Sequence, residues 1–144
     1  MIYSIRLNMS DATETHFINV DLEVRSTVDL TELVQAFEPG AWALNCTAFE
    51  DGYMANLELA IDPDEPEAAI RSFVALIRGL PDGARKLWDG ASRRDFSIGV
   101  EGGLTPFCFE LALTADVLKL AAEVGARIVF AVYANAETVS ASFA

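Results

Sequence analysis

Histidine and cysteine are scarce in this chain, and their scarcity restricts the chemistry it can support. One histidine, His16, and two cysteines, Cys46 and Cys108, stand among 144 residues. A zinc site needs about four Cys, His or carboxylate ligands at clustered spacing, and a disulfide framework needs more cysteines than two. We therefore predict no metal, no cofactor and two reduced cysteines, with Cys46 in the core and Cys108 exposed.

A catalytic constellation is also lacking. Nucleophilic catalysis requires a nucleophile close to a base, and neither cysteine has a histidine near it in the sequence. His16 lies beside a predicted turn and is interpreted as a surface residue. Glu101 and Glu110 could approach each other across a hairpin as paired carboxylates of a glycosidase, but two glutamates on a solvated sheet are the simpler interpretation. The sequence therefore favours a protein that is not an enzyme.

Long apolar runs and a basic leader are missing as well. No window approaches the roughly 18 uncharged apolar residues of a membrane-spanning helix, although 52% of the residues are hydrophobic and the mean hydropathy is +0.28. The first ten residues contain no basic segment followed by an apolar one, so no signal peptide is predicted. We expect a cytoplasmic protein without a membrane partner.

Positive charge is scarce in the first half of the chain. Residues 1–70 carry two basic and fourteen acidic side chains, a net charge of −12, whereas residues 71–144 carry eight of each. An acidic surface repels nucleic acid and attracts basic partners, although acid-rich loops could also serve only to keep the protein soluble. The candidate partner-binding residues are Asp21, Glu23, Asp62, Asp64, Glu65 and Glu67.

Hydrophobic periodicity predicts a single α+β domain over residues 1–144, with residues 136–144 as a loose tail. Alternation of period two indicates strands, and spacing of three and four residues indicates helices. We expect a largely antiparallel mixed sheet of six to seven strands with about three helices packed on one face. The predicted strands are residues 3–9, 18–24, 42–48, 53–61, 96–100, 107–113 and 128–133, and the helices are residues 30–37, 66–77 and 117–124, with further helical turns at 84–89.

Residues 95–133 show the clearest secondary-structure pattern in the sequence. Gly102 and Gly103 separate two alternating segments, which predicts a hairpin between residues 96–100 and 107–113. Thr114 is a predicted helix N-cap, and Gly125 fits the left-handed residue that follows a helix. Residues 128–133 are apolar without interruption, which predicts a central strand that is covered on both faces.

These elements resemble an uncharacterised bacterial family, domain of unknown function 4279. The resemblance covers residues 17–134 and rests on the helix that ends at Glu38-Pro39-Gly40, on Trp42, on the helix from Pro66, and on the closing segment LKLAAEVGARIVFAVY at residues 118–133. It implies an α+β fold and no catalytic activity. Because members of that family are sometimes found near bacterial toxin–immunity genes, it also favours a binding role.

A basic cluster stands out against the acidic background. Four of the ten basic residues lie within ten positions around Trp88, and Arg and Trp are favoured anchors of binding sites. The candidate ligand-binding residues are Arg85, Lys86, Trp88, Arg93 and Arg94. The simpler interpretation is a short amphipathic helix with Trp88 in the core.

Two functions follow as hypotheses. The first is a non-enzymatic interaction module that meets a basic partner through its acidic half and also forms homo-oligomers, with an immunity-like protein as its specific version. The alternative is a protein that binds a small anionic molecule, or a small enzyme, with a pocket near Trp88, Arg93 and Arg94.

Overall fold

The chain forms a mixed five-stranded sheet with four helices over the residues that the structure describes. The computed structural model describes residues 14–135. The strands are β1 (His16–Ser26), β2 (Ala41–Phe49), β3 (Gly52–Leu59), β4 (Arg93–Gly102) and β5 (Arg127–Ala134), and the helices are α1 (Thr31–Phe37), α2 (Pro66–Arg78), α3 (Asp82–Asp89) and α4 (Ala115–Glu123). The α+β class is confirmed, whereas six to seven strands and three helices do not match the counts in this part of the chain. The predicted strand 3–9 and tail 136–144 lie outside the described residues.

The strand order is β2-β3-β1-β4-β5, with β1 at the centre. Every neighbouring pair is antiparallel except β4 and β5, which are parallel. A tight hairpin turn at Glu50-Asp51-Gly52 joins β2 to β3. A side chain at Gly52 would place its Cβ 2.3 Å from the Ser26 carbonyl oxygen, so this turn requires glycine.

The helices cover one face of the sheet. The alternation of β1 places Val20, Leu22 and Val24 on this face, where all three are fully buried. Helix α2 packs on β1 and β3, α1 on β2, and α4 on β5. The other face carries the charged residues of β1 and has no helix over it among residues 14–135; we call it the open face.

Trp88 joins the helices to the sheet. Its ring is 1% exposed and meets Phe37 of α1 edge to face, with ring centroids 6.5 Å apart. Its Nε1 donates to the Val124 carbonyl oxygen at 3.0 Å, and the Arg94 guanidinium lies 5.8 Å from the ring centroid. The predicted core position of Trp88 is therefore confirmed.

Arg94 donates hydrogen bonds to backbone carbonyl oxygens at the C-terminal ends of two helices, α3 and α4. Its Nη1 donates to the carbonyl oxygens of Trp88, Asp89 and Ala91 at 2.8, 3.2 and 3.2 Å, and its Nε donates to that of Gly125 at 3.0 Å. The carbonyls at a helix C-terminus lack partners within the helix. Arg94 satisfies these groups after α3, and it also fixes the turn after α4, where Gly125 has the predicted left-handed φ of 76°.

The hairpin predicted between residues 96–100 and 107–113 is wrong. The first segment is β4, but residues 107–113 form no strand. Both edges of β4 are already paired, one with β1 and one with β5, so a returning strand has no ladder to join. The segment instead leads to α4, which begins after the predicted N-cap, Thr114, whose Oγ1 accepts from Val117 N at 3.4 Å.

The prediction that residues 128–133 form a central strand is also wrong. Strand β5 lies at an edge of the sheet as described for residues 14–135. Phe130 and Val132 are 52% and 67% exposed, and Tyr133 is exposed too. Helix α4 is short and leaves the distal part of β5 uncovered, so an unbroken apolar run does not indicate burial here.

Cys46 is exposed and does not belong to the core. The sequence suggested that Trp42, Leu44, Cys46 and Ala48 share one face, but a bulge in β2 between Ala43 and Asn45 shifts the register. Because an extra residue reverses the alternation, Trp42 lies on the open face and Cys46 on the other, beyond the cover of α1. Cys108 is exposed, as predicted.

We expect Arg94→Met to lower the free energy of unfolding by about 2 kcal/mol, because it leaves the carbonyl oxygens at two helix ends without their charged donor. Urea unfolding followed by circular dichroism measures this. Arg71→Met, at an exposed position of α2, is the matched control and should change stability by about 0.5 kcal/mol or less. Equal effects of the two substitutions would contradict the role of Arg94.

Candidate functional site

The strand register aligns the side chains of the open face in rows that cross the sheet. Directly opposite residues in neighbouring strands place their side chains side by side on the same face. One row, here called the acidic row, runs Trp42, Glu58, Asp21, Ser97 from β2 through β3 and β1 to β4. The neighbouring row, here called the paired row, runs Asn45, Asn56, Glu23, Asp95, Arg127 from β2 to β5.

The carboxylates of the paired row are neutralised by arginines. Arg127 holds Asp95 in a bidentate pair, with Nε–Oδ1 and Nη2–Oδ2 distances of 2.7 and 2.9 Å. Arg93 lies between Glu23 and Asp95, at 3.0 Å from Glu23 Oε1 and 3.1 Å from Asp95 Oδ2, the latter an ion-pair contact outside hydrogen-bonding geometry. Arg25 also contacts Glu23 Oε1, at 3.3 Å. This network accounts for the burial of Asp95, a charged residue that is 3% exposed.

The carboxylates of the acidic row have no such partners. Asp21 stands directly opposite Glu58, and Asp62 follows shortly after β3. We call these three residues the acidic corner. Within residues 14–135, no arginine, lysine or histidine forms an ion pair with any of them. Like charges opposite each other in a sheet repel, so this part of the open face is electrostatically unbalanced.

Of the three carboxylates in the acidic corner, Asp21 has a strongly raised pKa. Burial raises its pKa to about 6, and the negative charges of Glu58 and Asp62 contribute to the increase. Asn19 Nδ2 donates to Asp21 Oδ1 at 3.2 Å, but one neutral donor does not offset the loss of solvation. Asp21 therefore changes its charge within the weakly acidic range.

One accessible group beside the acidic corner, the ring of Trp42, suits a positive charge. Trp42, 47% exposed, stands next to Glu58 on the open face, and an indole ring attracts cations over its face. Asn56, two residues before Glu58 on the same strand face, has a buried Oδ1 that accepts no hydrogen bond from the described residues. Together the acidic corner and Trp42 offer carboxylates and an aromatic face, a combination that can bind an ammonium or guanidinium group.

The predicted partner-binding residues separate into four places. Asp21 and Asp62 come together in the acidic corner, whereas Glu23 belongs to the paired row. Asp64 and Glu65 are exposed in the loop before α2. Glu67 accepts a hydrogen bond from the backbone N–H of Thr114, which lowers the pKa of Glu67.

Sequence reasoning missed Glu58. The signal was present, because Glu58 lies between Leu57 and Leu59, which face the core, and so belongs to the solvated side of β3. Its position opposite Asp21, however, depends on the pairing register of two strands that are far apart in the chain. Local periodicity does not specify that register.

The predicted ligand-binding residues do not share one surface. Arg93 and Arg94 are successive residues of β4 and point to opposite faces. Arg85 Nε contacts Asp89 Oδ1 at 3.3 Å, and Lys86 is exposed on α3. The donors of Arg94 serve backbone carbonyls, and Trp88 is buried, so an anionic ligand would have to displace internal contacts. Binding of a small anionic molecule near these residues stays a prediction.

The other residues considered for chemistry are dispersed. His16 Nε2 lies 3.3 Å from Glu101 Oε2 at the exposed end of β1. Glu110 lies in the irregular segment after β4, and no hairpin brings it to Glu101. Within residues 14–135, no group of three or more His, Cys, Asp or Glu side chains is arranged to hold a metal ion.

None of the helices between residues 14 and 135 is long and apolar enough to cross a membrane.

Comparisons with known proteins give no relatives: no family model, curated protein or solved structure matches the chain. The resemblance to domain of unknown function 4279 therefore stays a prediction. The functional conclusions rest on the geometry of the open face.

We expect Asp21→Asn to stabilise the protein at neutral pH. A carboxyl whose pKa is raised on folding holds its proton more tightly in the folded state, so its ionisation lowers stability as the pH rises from about 4 to about 6. After reduction for solvent screening, removal of the charge should raise the free energy of unfolding by about 1–2 kcal/mol at pH 7.5. The gain should nearly vanish near pH 3.5, where Asp21 is protonated in the folded state and largely protonated in the unfolded state.

Urea unfolding at a series of pH values measures this difference. The matched control is Asp64→Asn, at an exposed position near the same corner, which should change stability by about 0.5 kcal/mol or less at any pH. An Asp21→Asn protein that is less stable than the wild type at pH 7.5 would show that the carboxylate is stabilised by its surroundings.

Proposed function

We propose that this protein is a non-enzymatic binding module whose open face receives a positively charged side chain of a basic protein partner. The observation that carries the proposal is the acidic corner, where Asp21, Glu58 and Asp62 form no ion pair with a cation among residues 14–135, whereas arginines pair with both carboxylates of the neighbouring row. A lysine or arginine of a partner would supply the missing charge.

The energetics favour such a complex at neutral pH. A cation near Asp21 stabilises the ionised carboxylate and offsets the repulsion from Glu58 and Asp62. The exposed ring of Trp42 adds a cation–π contact beside Glu58. Binding would therefore reduce the concentration of negative charge at the acidic corner.

Long-range electrostatics support the same partner class. The net charge of −12 lies within residues 1–70, and a field of one sign accelerates encounter with an oppositely charged partner. Asp64 and Glu65, exposed in the loop after Asp62, extend this field. An immunity-like protein that meets a basic toxin is one version of this proposal.

We expect a short peptide with two lysines at each end and glycine and serine between them to bind the wild-type protein weakly. Glu58→Gln combined with Asp62→Asn should weaken binding about threefold to tenfold, because each lost surface charge contributes up to about 1 kcal/mol. Fluorescence anisotropy of the labelled peptide, or NMR titration if the affinity is millimolar, measures this. Binding should also weaken as the salt concentration rises from about 0.02 to 0.2 M.

The matched control neutralises one glutamate and one aspartate elsewhere, Glu50→Gln with Asp116→Asn, both at exposed positions. This control changes the net charge equally and should retain most of the affinity. Equal losses in the two double variants would show that only the net charge of the protein matters, and the acidic corner would then not be a site. Binding that is insensitive to salt would contradict the proposal as well.

Self-association is a second proposal, supported by the edge strand β5. Its side chains Phe130, Val132 and Tyr133 are more than half exposed, and exposed apolar edge strands tend to pair with another chain. Pairing of β5 with its copy would bury these side chains without using the acidic corner, which lies on β1 and β3.

A further inference from the structure

An apolar groove lies next to the acidic corner, on the helix side of the sheet. Its volume is about 410 Å³, and its lining includes Pro39, Gly40, Leu59, Ile61, Ala75 and Leu76. Helix α2 forms one wall, and the start of β2 with the end of β3 forms the other. We call this groove the apolar slot.

The sequence shapes the slot through Gly40 and Ile61. A side chain at Gly40 would place its Cβ 2.6 Å from Leu76 Cδ2, so glycine allows the Leu76 side chain to lie against the backbone. Ala60 N donates to the Gly40 carbonyl oxygen at 2.9 Å, which holds together the two chain segments that form the wall opposite α2. Ile61 is 87% exposed at the rim, and an isolated aliphatic side chain so exposed gains free energy when a partner covers it.

The slot and the acidic corner are contiguous. Ile61 of the slot and Asp62 of the corner are successive residues, as are Leu59 and Glu58 on opposite faces of β3. Trp42 lies two residues after Gly40. A partner segment that contacts the acidic corner therefore reaches the slot by crossing the loop at Ile61 and Asp62.

We propose that the slot receives a hydrophobic side chain of the same basic partner, so that the site recognises a segment with an aliphatic anchor flanked by lysines or arginines. This inference rests on the proposed function and adds its specificity: the acidic corner selects positive charge, and the slot selects an aliphatic residue beside it. A second copy of this chain fits less well, because a chain with a net charge of −12 would bring further acidic groups to an acidic rim.

The test uses three short peptides and the ¹⁵N-labelled protein, titrated by NMR. The first peptide carries two central leucines between lysine pairs, the second replaces the leucines by serines, and the third keeps the leucines between glutamate pairs. We expect the leucine–lysine peptide to bind about tenfold more tightly than the serine–lysine peptide, because leucine becomes buried. Its additional shifts should fall on the amides of Gly40, Ile61 and Leu76.

The slot is tested by Ala75→Trp, which fills it from an exposed position of α2. This variant should reduce the advantage of leucine over serine to less than about twofold and leave binding of the serine–lysine peptide unchanged. Ala122→Trp, at an exposed position of α4, is the control that should keep the full advantage. Ile61→Ser, in a loop, gives a second variant in which the advantage should fall if Ala75→Trp disturbs folding.

The outcomes separate this inference from the proposed function. Equal affinities for the two lysine peptides would overturn the slot and leave the acidic corner intact, whereas no binding of either lysine peptide at millimolar concentration would overturn both. Equal binding of the leucine–glutamate peptide would show that the slot acts without the acidic corner. Shifts of Ile61 and Leu76 with protein concentration alone, together with a dimer in light scattering, would assign the slot to a second copy and overturn the inference.

Discussion

Repulsion among Asp21, Glu58 and Asp62 on a sheet covered from one side is the constraint on which the proposed function depends. The helices bury the apolar side of the sheet, so the charges of the open face must neutralise one another or remain unbalanced. Arginines neutralise Glu23 and Asp95 in one row, but the next row has no basic residue among those described. The energetic cost stays localised at the corner, and the proposed partner would reduce it by bringing a positive charge there.

Much of the fold could be predicted because it depends on local periodicity. Alternation defined β1 and β4, and helical spacing defined the buried faces of α2 and α4. The wrong strand predictions fall where the conformation or burial of a segment depends on the segments packed beside it. Residues 128–133 are apolar although they form a sheet edge that stays partly exposed among the described residues. Residues 107–113 alternate like a strand, but both edges of β4 were already paired.

The candidate site was only partly predictable for the same reason. Charge counting identified Asp21 and Asp62, but it could not separate them from Glu23, which an arginine from β4 neutralises. Glu58 entered the site through the register between β1 and β3. The basic residues around Trp88 suggested a ligand site because composition does not distinguish an arginine that is free to bind a ligand from one such as Arg94. The donors of Arg94 satisfy backbone carbonyls. The sequence shows which residues are acidic, whereas the tertiary contacts decide which of these carboxylates pair with an arginine.

The most direct test is the pKa of the Asp21 carboxyl, followed by ¹³C NMR of the side chain with and without the leucine–lysine peptide. A pKa near 6 in the free protein that falls on addition of the peptide would show that the corner lacks a positive charge and that the peptide supplies it. A pKa near the ordinary value of 3.8 in the free protein, or one that the bound peptide leaves unchanged, would contradict this account.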